Sequence, residues 1–344
     1  IEHALSKVPG IKQSAVIAKE RHTDTGTTKY LVGYYVLDHG YTSGRDADVL
    51  ESWENLYDSE YEKTIGEENI ASDFTGWNSY ITEEAIPLPE MHAWRDDIVA
   101  SINALQPSNV LEIGIGSGLL MYPLLKDIKR YVGLDISNQV VDRHKKLLED
   151  QNYNVELYHL RADQIDQLPK KERYDTIIVN SVCQYFPSIQ YFDDMLDKVI
   201  PKLSDNGHIF LGDIRNYALH KELIKEKLEY NGESYAQQDI DRAALRENEL
   251  LIAPNYFVEL KNRYKNIKIR ILERNGGYTN ELSKYRYDVV ISVPDPKKVQ
   301  KDSGNHLPKK GAKHYNIPFL NQISKEDILG HITRELPEYM IPAA

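Results

Sequence analysis

The stretch VLEIGIGSGLLMYPLL, residues 110–125, decides the fold of this chain. Its first residues have the apolar pattern of a buried strand, and Gly114, Gly116 and Gly118 follow before apolar residues return. Glycine lets the backbone turn tightly and approach a ligand, and the N-terminus of a following helix offers unpaired N–H groups. The stretch therefore predicts a strand, a ligand-binding turn and a helix. A tight turn without a ligand is the alternative.

The spacing of these glycines disfavours a dinucleotide ligand. The dinucleotide fingerprint requires a third glycine three residues after the second, and Leu119 occupies that position. The pattern E-x-G-x-G-x-G, which begins at Glu112, instead resembles the first motif of class I S-adenosylmethionine (SAM) methyltransferases. That resemblance implies SAM as the cofactor, S-adenosylhomocysteine as the product, and binding by Glu112 and the three glycines.

Strands and helices alternate from about residue 109 to residue 293. This alternation predicts an α/β fold with a Rossmann-like, seven-stranded, mostly parallel sheet covered on both faces, whose last strands form an antiparallel pair. The predicted strands are NVLEIG, YVGLDI, VELYHL, YDTIIVNS, HIFLGDI, IKIRIL and YRYDVVISV.

Ligands of open α/β sheets bind at the carboxyl ends of the strands. Asp135 ends the second strand, about 20 residues after the glycine turn, where a carboxylate accepts hydrogen bonds from ribose hydroxyls. We place Asp135 and the adjacent Ile136 at the cofactor, although an aspartate that ends a strand is by itself more often a helix cap. Ala162 and Asp163 follow the third strand, where methyltransferases of this kind contact adenine, and Asp163 is equally well interpreted as a cap.

The fourth and fifth strand ends are where a substrate should meet the cofactor. Asp213 and Arg215, after the fifth strand, are equally compatible with a structural ion pair. Cys183 is interpreted as a buried apolar residue. Polar candidates after the fourth strand are Asn180, Ser181, Gln184 and Tyr185, of which Asn180 and Ser181 are also assigned to the cofactor.

Composition excludes several classes of function. The chain has 344 residues and a net charge of −11, from 53 acidic against 42 basic residues, so a nucleic-acid-binding surface is not expected. One cysteine is too few for a disulfide framework or a cysteine-based zinc site, and we expect no metal. No apolar run reaches the roughly 18 residues of a membrane span. We expect a cytoplasmic protein without a membrane partner. Because residue 1 is Ile and not Met, we also expect the sequence to be a segment of a longer chain.

Four separated segments narrow the family. GWNSYITEEAIPLPEMHAW (76–94), NSVCQYFPSIQYF (180–192), GDIRNYALH (212–220) and NELSKYRYDVVIS (280–292) resemble motifs of N-methyltransferase domains embedded in nonribosomal peptide synthetases. The resemblance covers about residues 50 to 293. It implies methyl transfer from SAM to the α-amine of an aminoacyl thioester on a phosphopantetheinyl carrier protein. Methylation of an oxygen or a side-chain atom, and an inactive SAM-binding spacer module, remain alternatives.

The same resemblance suggests which residues act on the amine and which cover the cofactor. Trp77, Asn78 and Tyr80 are expected to form a lid over SAM, and packing of an N-terminal helix on the sheet is the alternative. The groups that orient the amine or accept its proton are expected among Asn180, Gln184, Tyr185, Asp213, Arg215 and Glu281.

The two ends of the chain resemble parts of another domain. IEHALSKVPGIKQSAVIAKE (1–20), KYLVGYYVL (29–37) and LPEYMIPA (336–343) resemble the small C-terminal subdomain of an adenylation domain. The implied arrangement is an interrupted adenylation domain: subdomain parts at 1–42 and 315–344, a methyltransferase with a helical lid at 47–294, and a linker at 295–314. The adenylation core of the same synthetase is then a partner, and adenylation by this fragment is not expected.

Neither end can bury its apolar residues alone, so we expect the two ends to pack against each other. The residues expected in that contact are Val16, Ile17, Leu31, Val32 and Val36 on one side and Ile328, Ile332 and Leu336 on the other.

Overall fold

A computed structural model describes residues 1–23, 26–38, 45–63, 73–74, 76–274, 278–301, 314–319, 323 and 325–342. The chain divides into two compact units, one of residues 1–49 with 317–344 and one of residues 50–316. The described helices are Glu2–Leu5, Asp46–Lys63, Leu88–Asn103, Met121–Leu124, Asn138–Leu148, Ile189–Val199, His220–Tyr230, Gln237–Leu245, Pro254–Arg263, Glu281–Lys284 and Lys325–Ile332. The described strands are β1 Ile11–Thr23, β2 Gly26–Leu37, β3 Asn109–Ile113, β4 Arg130–Asp135, β5 Val155–His159, β6 Tyr174–Asn180, β7 Leu203–Arg215, β8 Tyr264–Lys265, β9 Lys268–Leu272, β10 Arg286–Val293 and β11 Gln300–Lys301.

The larger unit is built on a seven-stranded sheet with the order β5-β4-β3-β6-β7-β10-β9. The strands β3 to β7 are parallel to one another, and β10 is antiparallel to both β7 and β9. The predicted α/β fold is therefore confirmed, including the antiparallel last strand. The central strands read as nearly continuous apolar runs because each face of the sheet carries its own hydrophobic cluster.

The element after the glycine turn differs from the expectation. The predicted helix is a single turn, Met121–Leu124. One turn aligns too few peptide dipoles to attract an anion strongly. A ligand at this turn would therefore be held by the backbone groups of the turn itself more than by a helix dipole.

The larger unit extends beyond the predicted end at residue 294. β11 pairs with β8, and Asn316 accepts a hydrogen bond from the Leu251 N–H at 2.7 Å. Tyr315 forms a bridge with Ile252. Residues 295–301 and 314–316 thus belong to the larger unit, and the rest of the predicted linker, residues 302–313, lies outside the described residues.

The smaller unit combines the hairpin of β1 and β2 with the two ends of the chain. Ala4, Leu5 and Val8 share a buried cluster with Ile323 and Ile332. Val16, Ile328 and Leu336 are partly buried against this cluster, as expected.

Two residues expected in that contact are instead exposed. Ile17 and Val36 are 50% and 53% exposed. Side chains alternate between the two faces of a strand, so Val16 and Tyr35 point to the cluster while Ile17 and Val36 point away. The expectation for Ile17 and Val36 was wrong because it ignored this alternation.

Candidate active site

A cavity of about 550 Å³ opens at the carboxyl ends of β3, β4 and β6. Ligand sites in proteins commonly have volumes of this order. Most of the residues predicted for the cofactor or for catalysis line it: Trp77, Asn78, Glu112, Gly114, Gly116, Asp135, Ile136, Ala162, Asn180, Ser181, Gln184 and Tyr185.

The glycine turn is held against Asp135. The Gly116 N–H donates to Asp135 Oδ2 at 2.9 Å, and the Ser137 N–H donates to Oδ1 at 2.9 Å. Burial raises the pKa of Asp135 to about 6, although both bonds favour the ionised form. Each carboxylate oxygen has lone pairs to spare, so Asp135 can accept further hydrogen bonds from ligand hydroxyls.

His144, which the sequence interpretation did not include, also contacts the glycine turn, although it does not line the cavity. Its Nε2 lies 2.8 Å from the Gly116 carbonyl oxygen, and its Nδ1 lies 2.8 Å from the Tyr122 hydroxyl. Burial lowers the pKa of His144 to about 4, so the ring is neutral at pH 7. A carbonyl oxygen only accepts, so Nε2 carries the proton and Nδ1 accepts from Tyr122. No local signal distinguishes His144 from a surface residue of an amphipathic helix.

Gly118 and Asp163 do not line the cavity. Gly118 has a φ of +83°, and a Cβ there would lie 2.6 Å from Cε2 of Tyr122, so this glycine permits packing. Asp163 Oδ1 accepts a hydrogen bond from the Tyr191 hydroxyl at 3.0 Å and one from Arg161 Nε at 3.1 Å. Asp163 therefore positions two residues that line the cavity.

Glu112 lies in the cavity wall and is 2% exposed. Its carboxylate accepts a hydrogen bond from the Tyr131 hydroxyl. Burial raises the pKa of Glu112 to about 8, more than the bond from Tyr131 lowers it. A cationic group bound beside Glu112 would favour its ionised form.

Asp213 is placed differently from the prediction. Its side chain is completely buried and lies outside the cavity lining. Oδ1 lies 3.2 Å from Trp94 Nε1 and 3.1 Å from an Arg274 nitrogen, while Oδ2 accepts from Ser181 Oγ at 2.8 Å and pairs with Arg286. These partners occupy both oxygens, so Asp213 positions Ser181 and Arg286 in this structure.

Glu281 also binds another part of the chain, the segment at Ser79 and Tyr80. It accepts hydrogen bonds from Ser79 Oγ at 2.7 Å and from the Tyr80 N–H at 2.8 Å. Arg215 pairs with Glu249 at 2.6 Å and with Glu247 at 2.9 Å. Neither Glu281 nor Arg215 lines the larger cavity.

A second, smaller cavity of about 160 Å³ explains these positions. Tyr80, predicted for the cofactor lid, lines this cavity and not the larger one. Three residues, Asn78, Glu249 and Arg286, line both cavities. The full lining of the smaller cavity is Asn78, Tyr80, Arg215, Asn216, His220, Leu223, Glu249, Leu251, Glu281, Tyr285 and Arg286. Glu249 was missed because no recognisable motif surrounds it.

Aromatic residues of the helix Asp46–Lys63 cover Tyr185. The ring centroids of Trp53 and Tyr57 lie 4.8 and 5.1 Å from that of Tyr185, and Trp53 and Tyr57 both line the larger cavity. The sequence interpretation did not connect this helix with the cavity. Burial raises the pKa of Tyr185 to about 12, so its hydroxyl stays protonated and can donate.

In the part of the chain that the structure describes, no group of three or more His, Cys, Asp and Glu side chains could hold a metal ion. Within the same residues, no helix has both the length and the apolar character needed to cross a membrane.

Comparison with known proteins relates this chain to methyltransferases. Residues 111–209 match the family described as methyltransferase domain. CymA, a probable nonribosomal peptide synthetase of Salinispora arenicola, is 33% identical over 295 residues, which are 85% of this chain and 4% of CymA. The nonribosomal peptide synthetase dtxS1 of Metarhizium robertsii is 32% identical over an alignment of 363 positions, which covers 99% of this chain and 4% of dtxS1. The chain thus spans a small fraction of the length of both relatives.

Among solved structures, the N-methyltransferase NodS of Bradyrhizobium japonicum WM9, bound to S-adenosylhomocysteine, has a TM-score of 0.44 and 15% identity. The match covers 70% of this chain and all of NodS.

The family match and the strand order together establish a class I SAM-dependent methyltransferase fold, related in sequence to segments of nonribosomal peptide synthetases. SAM is the cofactor of this fold, and the larger cavity fits it. The fit rests on the glycine turn, on Asp135, and on the buried side-chain oxygens of Asn180 and Gln184, which make no hydrogen bond to any described residue.

Proposed function

We propose that this chain transfers a methyl group from SAM to the α-amine of an aminoacyl thioester carried by a phosphopantetheinyl carrier protein. Two kinds of observation support the proposal. Both relatives described above are nonribosomal peptide synthetases, and the four sequence motifs resemble N-methyltransferase domains of such synthetases. The site also offers an acceptor position beside the cofactor cavity.

The observation that carries the proposal is the junction between the two cavities. Asn78, Glu249 and Arg286 line both, so a group held there can touch the occupants of each. The Glu249 carboxylate can accept a hydrogen bond from an amine. Its ion pair with Arg215, in which the nitrogen and oxygen are 2.6 Å apart, fixes the orientation of the carboxylate. An acceptor amine placed at this junction would face the cofactor while the rest of the aminoacyl group occupies the smaller cavity.

Bound SAM supplies an electrophilic methyl group on a positively charged sulfur. The amine nitrogen uses its lone pair to form the new C–N bond, the sulfur keeps the electrons of the bond that breaks, and one amine proton must leave. A free α-amine has a pKa near ~8, so part of it is neutral without a strong base. Glu249 then accepts the departing proton, and the protonated Tyr185 hydroxyl orients the acceptor. Alignment of this kind can contribute on the order of 7 to 11 kcal/mol.

The residues toward the cofactor have separate roles in this proposal. Asp135 accepts from the ribose hydroxyls, and the turn at Gly114 and Gly116 holds the methionyl end. Ala162 and Ile136 contact the adenine, and Trp77 covers the cofactor from the side of Trp94, whose ring centroid lies 4.5 Å away.

We further propose that the chain is a methyltransferase inserted into the small subdomain of an adenylation domain. The shared cluster of the two chain ends supports this arrangement. The carrier protein and the adenylation core would then belong to the same synthetase as the methyltransferase.

Mass spectrometry of an aminoacyl carrier protein, incubated with SAM and this chain, tests the proposal. We expect a gain of one methyl group, located on the α-nitrogen by fragmentation. A methyl on an oxygen or a side-chain atom would support the alternative chemistry. SAM binding in calorimetry without any methylated product would instead indicate an inactive spacer module.

A further inference from the structure

We propose that the smaller cavity receives the side chain of the acceptor amino acid and selects a neutral side chain with a hydrogen-bonding group, recognised by His220. This inference rests on the proposed function and specifies its substrate class. The methyl-transfer step proposed above gives no role to His220, a buried polar residue of this cavity.

His220 lies in the wall of the smaller cavity and is only 4% exposed. Its Nε2 makes no hydrogen bond to any residue that the structure describes, and the Glu247 carboxylate is 3.5 Å away. A buried polar atom without a partner costs stability, so such atoms commonly have a ligand or a water as partner. His220 therefore offers a hydrogen bond that an occupant of the cavity can complete.

The charges around His220 favour a neutral occupant. Burial lowers the pKa of His220 to about 3, helped by the nearby Arg215, so the ring is neutral. Arg215 is paired with Glu247 and Glu249, and Glu281 is bonded to the segment at Ser79 and Tyr80. A charged side chain would meet a like charge here or break one of these pairs.

A hydroxyl or a carboxamide matches a neutral imidazole whichever ring nitrogen carries the proton, because each of these groups both donates and accepts.

The size of the cavity limits the occupant further. Its volume of about 160 Å³ is similar to that of an engineered cavity of about 150 Å³ that holds benzene. Leu223 and Leu251 supply apolar wall beside the polar one. The cavity thus suits a side chain up to about the size of a benzene ring, with an apolar part and one polar group.

Two nearly isosteric pairs of substrates test the inference. Threonyl and valyl pantetheine thioesters differ by a hydroxyl against a methyl, and asparaginyl and leucyl thioesters differ by a carboxamide against an isopropyl group. With the full chain and saturating SAM, we expect kcat/KM to favour the polar member of at least one pair by tenfold or more. A site that hydrogen-bonds a substrate group can discriminate strongly against an analogue that lacks it.

In His220→Leu this preference should fall below threefold. The matched control His208→Leu should keep it, since His208 bonds to Ser292 and lines neither cavity.

A second variant keeps the test decisive if His220→Leu fails to fold. Leu223→Phe should narrow the cavity and lower the ratio of kcat/KM for threonyl thioester to kcat/KM for glycyl thioester at least tenfold relative to the wild type. An unchanged ratio would overturn the inference. Equal kcat/KM values within both pairs in the wild type, or an unchanged preference in His220→Leu, would overturn the inference. Absence of methylation for every thioester, despite SAM binding, would refute the proposed function itself.

Discussion

Replacing Asp135 with asparagine should weaken SAM binding strongly while the stability of the unliganded protein changes little. Asp135 ends β4, is 6% exposed, and its two oxygens accept the N–H groups of Gly116 and Ser137. Hydrogen bonds to a charged acceptor contribute about 1.5 to 3 kcal/mol. Loss of one such bond from the ribose corresponds to about 10- to 150-fold weaker SAM binding.

The effect on stability combines two opposing changes. Burial raises the pKa of Asp135 from 3.8 to about 6, which at pH 7 costs the folded state about 3 kcal/mol. Asparagine removes this cost, but its amide group cannot accept from both N–H groups, and one unsatisfied N–H costs about 1 to 3 kcal/mol. The two changes should cancel to within about 2 kcal/mol. In Asp135→Ala both acceptors are lost, so that variant should be less stable than Asp135→Asn.

The pH dependence gives a second signature. Because the pKa of Asp135 is raised in the folded state, its contribution to stability is full below pH 3.8 and is lost as the pH rises through about 6. Asp135→Asn should lack this part of the profile in urea unfolding between pH 4 and 7. Calorimetric SAM affinity within twofold of wild type, for a folded Asp135→Asn protein at pH 7.5, would contradict the assignment of Asp135 to the cofactor.

Four further outcomes are expected. Glu249→Gln and Tyr185→Phe should each lower single-turnover methyl transfer by about 10²- to 10⁴-fold while calorimetric SAM affinity changes less than threefold; a loss below threefold in both variants would exclude them from the reaction. Asp213→Asn should lower the free energy of unfolding by about 3 to 5 kcal/mol in urea titrations, because Arg274 and Arg286 lose a buried partner; a wild-type midpoint would contradict this role. Burial raises the pKa of Glu112 from 4.5 to about 8, so unliganded wild type should lose stability as the pH rises between these values, whereas Glu112→Gln should show a flatter profile in thermal melts at pH 5 and 8. Deletion of residues 317–344 should expose β1 and β2 to proteolysis and leave SAM binding intact; loss of SAM binding would show that the two units do not fold separately.

The sequence by itself determined the features that depend on local pattern. Apolar runs, helical spacing and the glycines at 114 and 116 predicted the strands, the turn and the position of Asp135, because periodicity and backbone freedom are properties of neighbouring residues. The carboxyl ends of parallel strands meet at one edge, so Asn180 and Gln184 could also be placed near the cofactor cavity.

The tertiary structure alone decided which polar groups are free to act. Asp213 and Glu281 have the chemistry of catalytic carboxylates, yet Arg274, Arg286 and the segment after Ser79 occupy them from distant parts of the chain. Conversely, His144 and Glu249 stand in no local pattern, and His220 ends the segment GDIRNYALH without being marked as a site residue, so only packing against remote elements places all three beside the cavities or the glycine turn. A carboxylate or an imidazole is chemically the same in every sequence context, and its partners and its burial decide what it does, because they set its charge and its open hydrogen bonds.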